Sequence, residues 1–169
     1  MKYFITGATG FIGGRLARML ADEGHQVIAL IRDVRTVSHL TNRGIQIALG
    51  DITDKESMRA PMRGVDGVFH VAAWYKVGAR DRSQADSVNV EGTRNVLELM
   101  QELKIPKGAY TSTLAVNSNT HGKLAAENYR FRGRFLSVYD RSKWKAHYEV
   151  AVPMIDSGLP LVIVMPGMV

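Results

Sequence analysis

Three glycines at intervals of three, Gly7, Gly10 and Gly13, stand where a strand-like run gives way to a helical one. Tyr3, Phe4 and Ile5 form a short aromatic and branched run suited to a buried strand. From Phe11 the period changes: Phe11, Ile12, Leu16, Met19 and Leu20 can share one helix face. Each glycine has a physical task in a dinucleotide site. The first permits a sharp turn out of the strand, the second lets backbone N–H groups approach a pyrophosphate, and the third lets the helix pack closely. The helix N-terminus adds unpaired N–H groups and a positive dipole end. Gly7, Thr9, Gly10, Phe11, Ile12 and Gly13 are therefore candidate cofactor-binding residues.

The rest of the chain alternates strand and helix patterns. Largely apolar runs at 27–31, 45–49, 67–72 and 161–165, together with 108–116, read as further strands. Helices are expected over 36–42 (a weak one), from a Thr53–Glu56 capping box to about residue 63, over 84–104, and over 138–157. Residues 117–136 lack a clear period and read as a long loop, a length at which loops are often functional. This alternation predicts one α/β domain over 1–169: a doubly wound parallel sheet of about six strands in the order 3-2-1-4-5-6, a Rossmann fold. Its ligand crevice should lie off the carboxyl ends of strands one and four.

Composition narrows the function classes. With 46% hydrophobic and 22% charged residues the chain is neither disordered nor membrane-spanning in pattern. No room is left for a signal peptide, so a cytoplasmic location is expected. There are no cysteines, and His25, His39, His70, His121 and His147 lack metal-ligand spacing, so no metal site is expected. The net charge of +6 is spread out. Its densest patch, Arg130-Phe131-Arg132-Gly133-Arg134, reads as a solvated loop rather than a nucleic-acid surface.

Two groups bear chemistry. Tyr139 and Lys143 lie four apart on a predicted helix, hence on one face. An ammonium close to a phenol favours the phenolate, and a tyrosine tuned downward can exchange a proton with a hydroxyl or carbonyl. Thr111, Ser112 and Thr113 end the fifth strand, where a hydroxyl beside Tyr139 can hold a substrate oxygen. With a period of two, Thr111 and Thr113 face one way and Ser112 the other.

In order and spacing, these motifs resemble the extended short-chain dehydrogenase/reductase family over essentially the whole chain. The series runs Thr6-Gly7-x-x-Gly10-x-x-Gly13, Gly50-Asp51-Ile52, His70-Val71-Ala72-Ala73, Asn89-Val90-Glu91-Gly92-Thr93, Thr111-Ser112-Thr113, Tyr139-x-x-x-Lys143 and Met165-Pro166-Gly167. The nearest flavour is the dihydroflavonol reductase and nucleotide-sugar epimerase/dehydratase branch. The resemblance implies that Asp51 accepts from the adenine amine with Ile52 against the ring, and that Ala72 and Ala73 keep the cofactor wall small. It implies Tyr139 as general acid/base, Lys143 as its electrostatic partner and a cofactor ligand, and Thr113 as the substrate-positioning hydroxyl, with Ser112 behind it. Asn89 is implied at most as a brace for its helix. Relatives pair through the fourth and fifth predicted helices. A homodimer is therefore expected, with Trp144, Tyr148, Ala151 and Ile155 at its interface.

Arg32 follows strand two, where NAD-binding members of the fold place an acid. An arginine suits a 2′-phosphate, so NADP is expected over NAD, with Asp33 as a complication and Arg35 as a possible substitute. The family continues beyond the Pro-Gly motif into a substrate portion, which this chain is expected to lack. The expected function is hydride transfer between a nicotinamide and a carbonyl or secondary alcohol, as in dihydroflavonol reductases. A nucleotide-sugar epimerase/dehydratase is the alternative, and a non-catalytic dinucleotide-binding module the alternative of another class.

Overall fold

The computed structural model describes residues 1–76, 78, 80–126 and 128–167. Six strands, β1 (Lys2–Thr6), β2 (Gln26–Ile31), β3 (Gln46–Leu49), β4 (Gly67–His70), β5 (Gly108–Thr111) and β6 (Leu161–Val164), form one sheet in the order β3-β2-β1-β4-β5-β6. Every neighbouring pair is parallel. This is the predicted topology, with the order reversing between β1 and β4.

Period-two alternation divides the strands between two cores. Phe4, Ile28 and Leu30 face one way, onto Met58, Val96, Leu97, Met100 and Val150. Ile5, Ala29 and Ile31 face the other, onto Ala17, Leu20 and Leu40. The first core is closed by α3 (Lys55–Met62) and α5 (Gly92–Glu102), the second by α1 (Phe11–Asp22) and α2 (Ser38–Thr41). Burial on both faces explains why the central strands read as unbroken apolar runs.

Several local expectations need correction. The helix of residues 55–62 is capped by Asp54, whose side chain accepts from the N–H groups of Glu56 and Ser57; Thr53 does not cap it. Adjacent polar residues compete for this place, and the carboxylate one position nearer the first turn wins. Strand β5 stops at Thr111, and residues Leu114–Asn117 turn into a 3₁₀ segment capped by the Thr113 hydroxyl. The weak helix of 36–42 divides into a 3₁₀ turn at Val34–Thr36 and the short α2.

The two long helices each contain a π segment. One runs through α4 (Ser83–Ala85), a π segment at Asp86–Glu91 and α5. The other runs through α6 (Val138–Lys145), a π segment at Ala146–Ala151 and α7 (Val152–Asp156). In the second, Pro153 follows the π segment and has no N–H for a regular α turn, which widening the helix accommodates. In the first, the Thr93 hydroxyl donates to the Asn89 carbonyl at 2.7 Å, the back-bonding that loosens a helix ladder.

The loop before α6 folds over that helix. Phe135 packs between Phe131 and Trp144, and the Arg130 guanidinium lies 4.2 Å from the Tyr148 ring centroid. Ala151 is fully buried in this chain's own core. The face expected to meet a second copy is thus partly covered by the chain itself. Among the described residues, no helix is long and apolar enough to cross a membrane.

Candidate active site

A groove of ≈ 810 Å³ opens off the carboxyl ends of β1, β2 and β4. Its lining includes Gly7, Thr9, Gly10, Phe11, Ile12 and Gly13 from the turn and α1, Arg32, Asp51 and Ile52 from the ends of β2 and β3, and Ala72 and Ala73 after β4. These are the cofactor candidates read from the sequence apart from Lys143. Tyr139 lines the same groove.

The glycine turn is shaped by close backbone approach. Gly7 has φ +78°, and a Cβ there would lie 2.7 Å from the Ala72 nitrogen. A Cβ on Gly13 would lie 2.2 Å from the Gly7 carbonyl oxygen, so α1 starts against the turn itself. The third glycine thus serves helix-to-turn contact, not the helix-to-sheet contact expected. Gly10 sits at the N-cap and supplies no side-chain cap, which leaves the first-turn N–H groups of α1 for a ligand. Such N–H groups, held against a tight glycine turn, fit a pyrophosphate.

At the other end, the Arg32 guanidinium is exposed and 3.8 Å from the Asp51 carboxylate. Asp51 Oδ1 accepts from the N–H and hydroxyl of Thr53, both at 2.9 Å, so one carboxylate oxygen secures the turn and the other faces Arg32. Asp33, the acid that clouded the choice of cofactor, engages Arg35 instead. That pairing leaves Arg32 as the cation at the groove and ties Arg35 to its own turn.

Tyr139 stands beside Thr113. Burial is the largest influence on its phenol and holds it above the ordinary value of 10, while a hydrogen bond with Thr113 pulls it down and Tyr75 and Asp140 push it further up. Lys143 behaves differently from the expectation. Its Nζ donates to the Tyr110 hydroxyl and the Thr111 carbonyl, each at 2.9 Å. Helical spacing puts the two residues on one face, but Lys143 extends inward onto β5. Burial lowers the Lys143 ammonium from 10.5 to about 7. Ser112 is also turned away: its hydroxyl pairs with His147 Nδ1 at 2.8 Å, which makes Thr113 the better placed of the two.

Asn89 does more than brace a helix. Its Oδ1 accepts from the Trp74 N–H at 2.7 Å and its Nδ2 donates to the Trp74 carbonyl at 2.9 Å and to Ser142 Oγ at 2.8 Å. Ser142 in turn donates to the Tyr139 carbonyl. The groove wall after β4 is thereby fastened to the helix that carries Tyr139.

A family model described as the NAD dependent epimerase/dehydratase family matches residues 3–169. The chain belongs to that family. It is 37% identical over 167 residues to a putative dihydroflavonol 4-reductase of Synechocystis sp., covering 98% of this chain and 48% of that protein. The crystal structure of gox2253 superposes with a TM-score of 0.84 at 32% identity, covering 97% of this chain and 50% of that one. UDP-glucose 4-epimerase of Thermus thermophilus, in complex with NAD, superposes with a TM-score of 0.81 at 26% identity, covering 98% and 54%. The chain therefore spans about half the length of the relatives it matches.

As a member of the NAD dependent epimerase/dehydratase family, the chain carries groove residues that sequence reading passed over. Trp74, Tyr75, Gln84 and Val88 also line the groove, and the Tyr75 ring meets the Tyr139 ring edge-on at 4.9 Å. Tyr75 and Trp74 directly follow the flagged Ala72-Ala73, and that adjacency was the available signal. Among the described residues, no group of three or more histidines and carboxylates can hold a metal.

Proposed function

We propose that this chain is the cofactor-binding and catalytic portion of an NADP(H)-dependent oxidoreductase acting on a carbonyl or secondary alcohol, as in the dihydroflavonol reductase branch. The observation that carries this reading is the shared groove: the glycine cradle, Asp51 and a Tyr139 hydrogen-bonded to Thr113 open onto one space. The bound dinucleotide would supply the hydride donor or acceptor. Gly7, Gly10 and Gly13 bind its pyrophosphate through the α1 N-terminus. Asp51 and Ile52 receive the adenine, and Arg32 faces the ribose 2′ position, which favours NADP. Ala72 and Ala73 leave room beside the cofactor. Tyr139 holds a proton at its phenolic oxygen for the substrate oxygen, and Thr113 orients both. Lys143 lends positive charge from behind the groove wall, where Tyr110 and the Thr111 carbonyl hold it.

A second reading, a nucleotide-sugar epimerase/dehydratase, is supported by the superposition on UDP-glucose 4-epimerase and uses the same residues. A non-catalytic dinucleotide-binding module would not need the Thr113–Tyr139 pair. The deciding experiment supplies NADPH and a panel of carbonyl compounds to a protein spanning the full length of the relatives. Stoichiometric NADPH consumption supports the reductase. Activity on nucleotide sugars without net consumption supports the epimerase, and dinucleotide binding with neither activity leaves the binding module. We also propose a cytoplasmic homodimer paired through the helices of 83–102 and 138–156, to be checked by sedimentation of Trp144→Glu and its parent.

A further inference from the structure

Lys143 is 1% exposed, and both of its hydrogen-bond acceptors, the Tyr110 hydroxyl and the Thr111 carbonyl, are neutral. A buried ammonium without a carboxylate needs every available acceptor to remain charged. One of those acceptors is a side chain that the proposed mechanism does not use. Tyr110 is itself fully buried on β5. Its ring stacks on His70 with centroids 5.4 Å apart, and the Lys143 Nζ lies 4.5 Å from its ring centroid. Its hydroxyl is held by hydrogen bonds with Thr93 and Ser112.

The hydroxyl sits at one end of a chain of buried polar groups whose proton directions can be assigned. Thr6 Oγ1 accepts from the N–H groups of Val71 and Ala72, so its own proton goes to His70 Nδ1 at 2.8 Å. Thr93 donates to the Asn89 carbonyl, so it accepts from His70 Nε2 at 3.0 Å. His70 is therefore neutral with its proton on Nε2, in agreement with burial lowering it to about 3. With no positive charge on His70, the Tyr110 oxygen beside it is free to serve Lys143, the one buried lysine or arginine among the described residues.

We propose that Tyr110 is a positioning residue for Lys143: its hydroxyl anchors the ammonium at the inner wall of the site and sustains its charged form. The assignment of what Lys143 then does, charging the site, rests on the oxidoreductase reading. The anchoring itself does not. The titratable groups around Nζ are Tyr110 on β5, His70 on β4 and His147 on the π segment of Ala146–Ala151. Tyr139 on α6 acts on the Tyr110 phenol. The two histidines are held neutral by burial and by Lys143, and His147 by Arg130 as well, so changes in lysine charge trace to its acceptors.

The test is Tyr110→Phe in the 169-residue chain, which keeps the ring and removes one oxygen. Thr93 keeps His70 and Asn89 as partners and Ser112 keeps His147, so neither hydroxyl is orphaned. Side-chain ¹⁵N-lysine NMR follows Lys143, its resonance identified by its loss in Lys143→Met. The expected result is a fall of one pH unit or more in the Lys143 midpoint, a tenfold loss of proton affinity, in a variant that melts cooperatively. An unchanged midpoint would overturn the proposal, because a residue that only fills space has no reason to move it. A variant that no longer folds would also overturn it, by making the hydroxyl a requirement of the core. Calorimetric titration of both proteins with NADP and NAD is run alongside. A parent that binds neither would undo the oxidoreductase reading while leaving the NMR result to stand or fall by itself.

Discussion

The side-chain amide of Asn89 grips the backbone of Trp74 from both sides, accepting from its N–H and donating to its carbonyl. One side chain thus completes the backbone hydrogen bonding of a residue that lies in no strand or helix. Asn89→Ala should leave both Trp74 groups unsatisfied in a partly buried place, together with Ser142 Oγ. A buried polar group without a partner costs about 1–3 kcal/mol. Urea unfolding should show a lower midpoint at an unchanged slope, and cofactor affinity should fall with it because the groove wall loosens. Unaltered stability would mean that water replaces the amide at no cost.

Gly13 stands against the Gly7 carbonyl with no room for a methyl group. The obstacle is backbone, which cannot swing aside as a long side chain can. Gly13→Ala should push α1 away from the turn, at about 1–3 kcal/mol for an overpacked site. Dinucleotide affinity should drop at least tenfold, and NAD and NADP should suffer alike, since both carry the pyrophosphate. Calorimetry with each cofactor measures this, and a loss confined to one of them would contradict it.

Arg32 should separate the two cofactors. A charge-assisted hydrogen bond contributes about 1.5–3 kcal/mol. Arg32→Ala should accordingly weaken NADP roughly tenfold to a hundredfold and leave NAD nearly unaffected. The same titrations on Arg35→Ala should show little preference, because Arg35 is committed to Asp33. Equal losses of NAD and NADP in Arg32→Ala would place its contact elsewhere than the 2′-phosphate.

Tyr139 should titrate above its ordinary value of 10 in the free chain. The hydrogen bond with Thr113 favours the phenolate, so Thr113→Val should raise the midpoint further. Ultraviolet difference titration, with Tyr139→Phe to identify the signal, reads both values. A midpoint below 10 without cofactor would mean that Lys143 does reach the phenol.

Stability should rise with pH on account of Lys143. Its folded value of about 7 lies below the ordinary 10.5, so between those values the unfolded chain binds a proton that the folded chain does not. Unfolding free energy therefore increases from pH 7 toward 10.5, by at most about 1.4 kcal/mol per pH unit. His70, lowered from 6.5 to about 3, has the same sign in its own window: stability is lost as pH falls from 6.5 toward 3. Lys143→Met should flatten the rise above pH 7 and leave the acid limb in place. Urea unfolding across pH 5–10 distinguishes the two windows.

Sequence pattern was enough for the sheet and its order, because Phe4 and Ile5, or Leu30 and Ile31, must be buried on opposite faces and so appear as unbroken apolar runs. It was enough for part of the groove's glycine end as well, since Gly13 meets the Gly7 backbone close in the chain, whereas the approach of Gly7 to Ala72 is made across the sheet. What stayed hidden depends on tertiary contact. The π segments have no separate period, and Asp54 and Thr53 offer equal caps until the turn is built. Spacing shows that Tyr139 and Lys143 share a helix face, but not that Lys143 runs inward to Tyr110. The partners of Tyr110, His70 and Thr6 lie on other strands and helices, where no local motif joins them.

Thr6 closes β1 immediately before the glycine turn, and its hydroxyl also receives the N–H groups of Val71 and Ala72 after β4. The glycine turn and the groove wall after β4 thus hang from a single oxygen atom. In engineering terms they form one transplantable cassette. Exchanging the turn between relatives without residues 70–72, or those residues without Thr6, would separate two surfaces whose spacing this hydroxyl sets. Cofactor-site chimeras of this fold should carry both strand ends together.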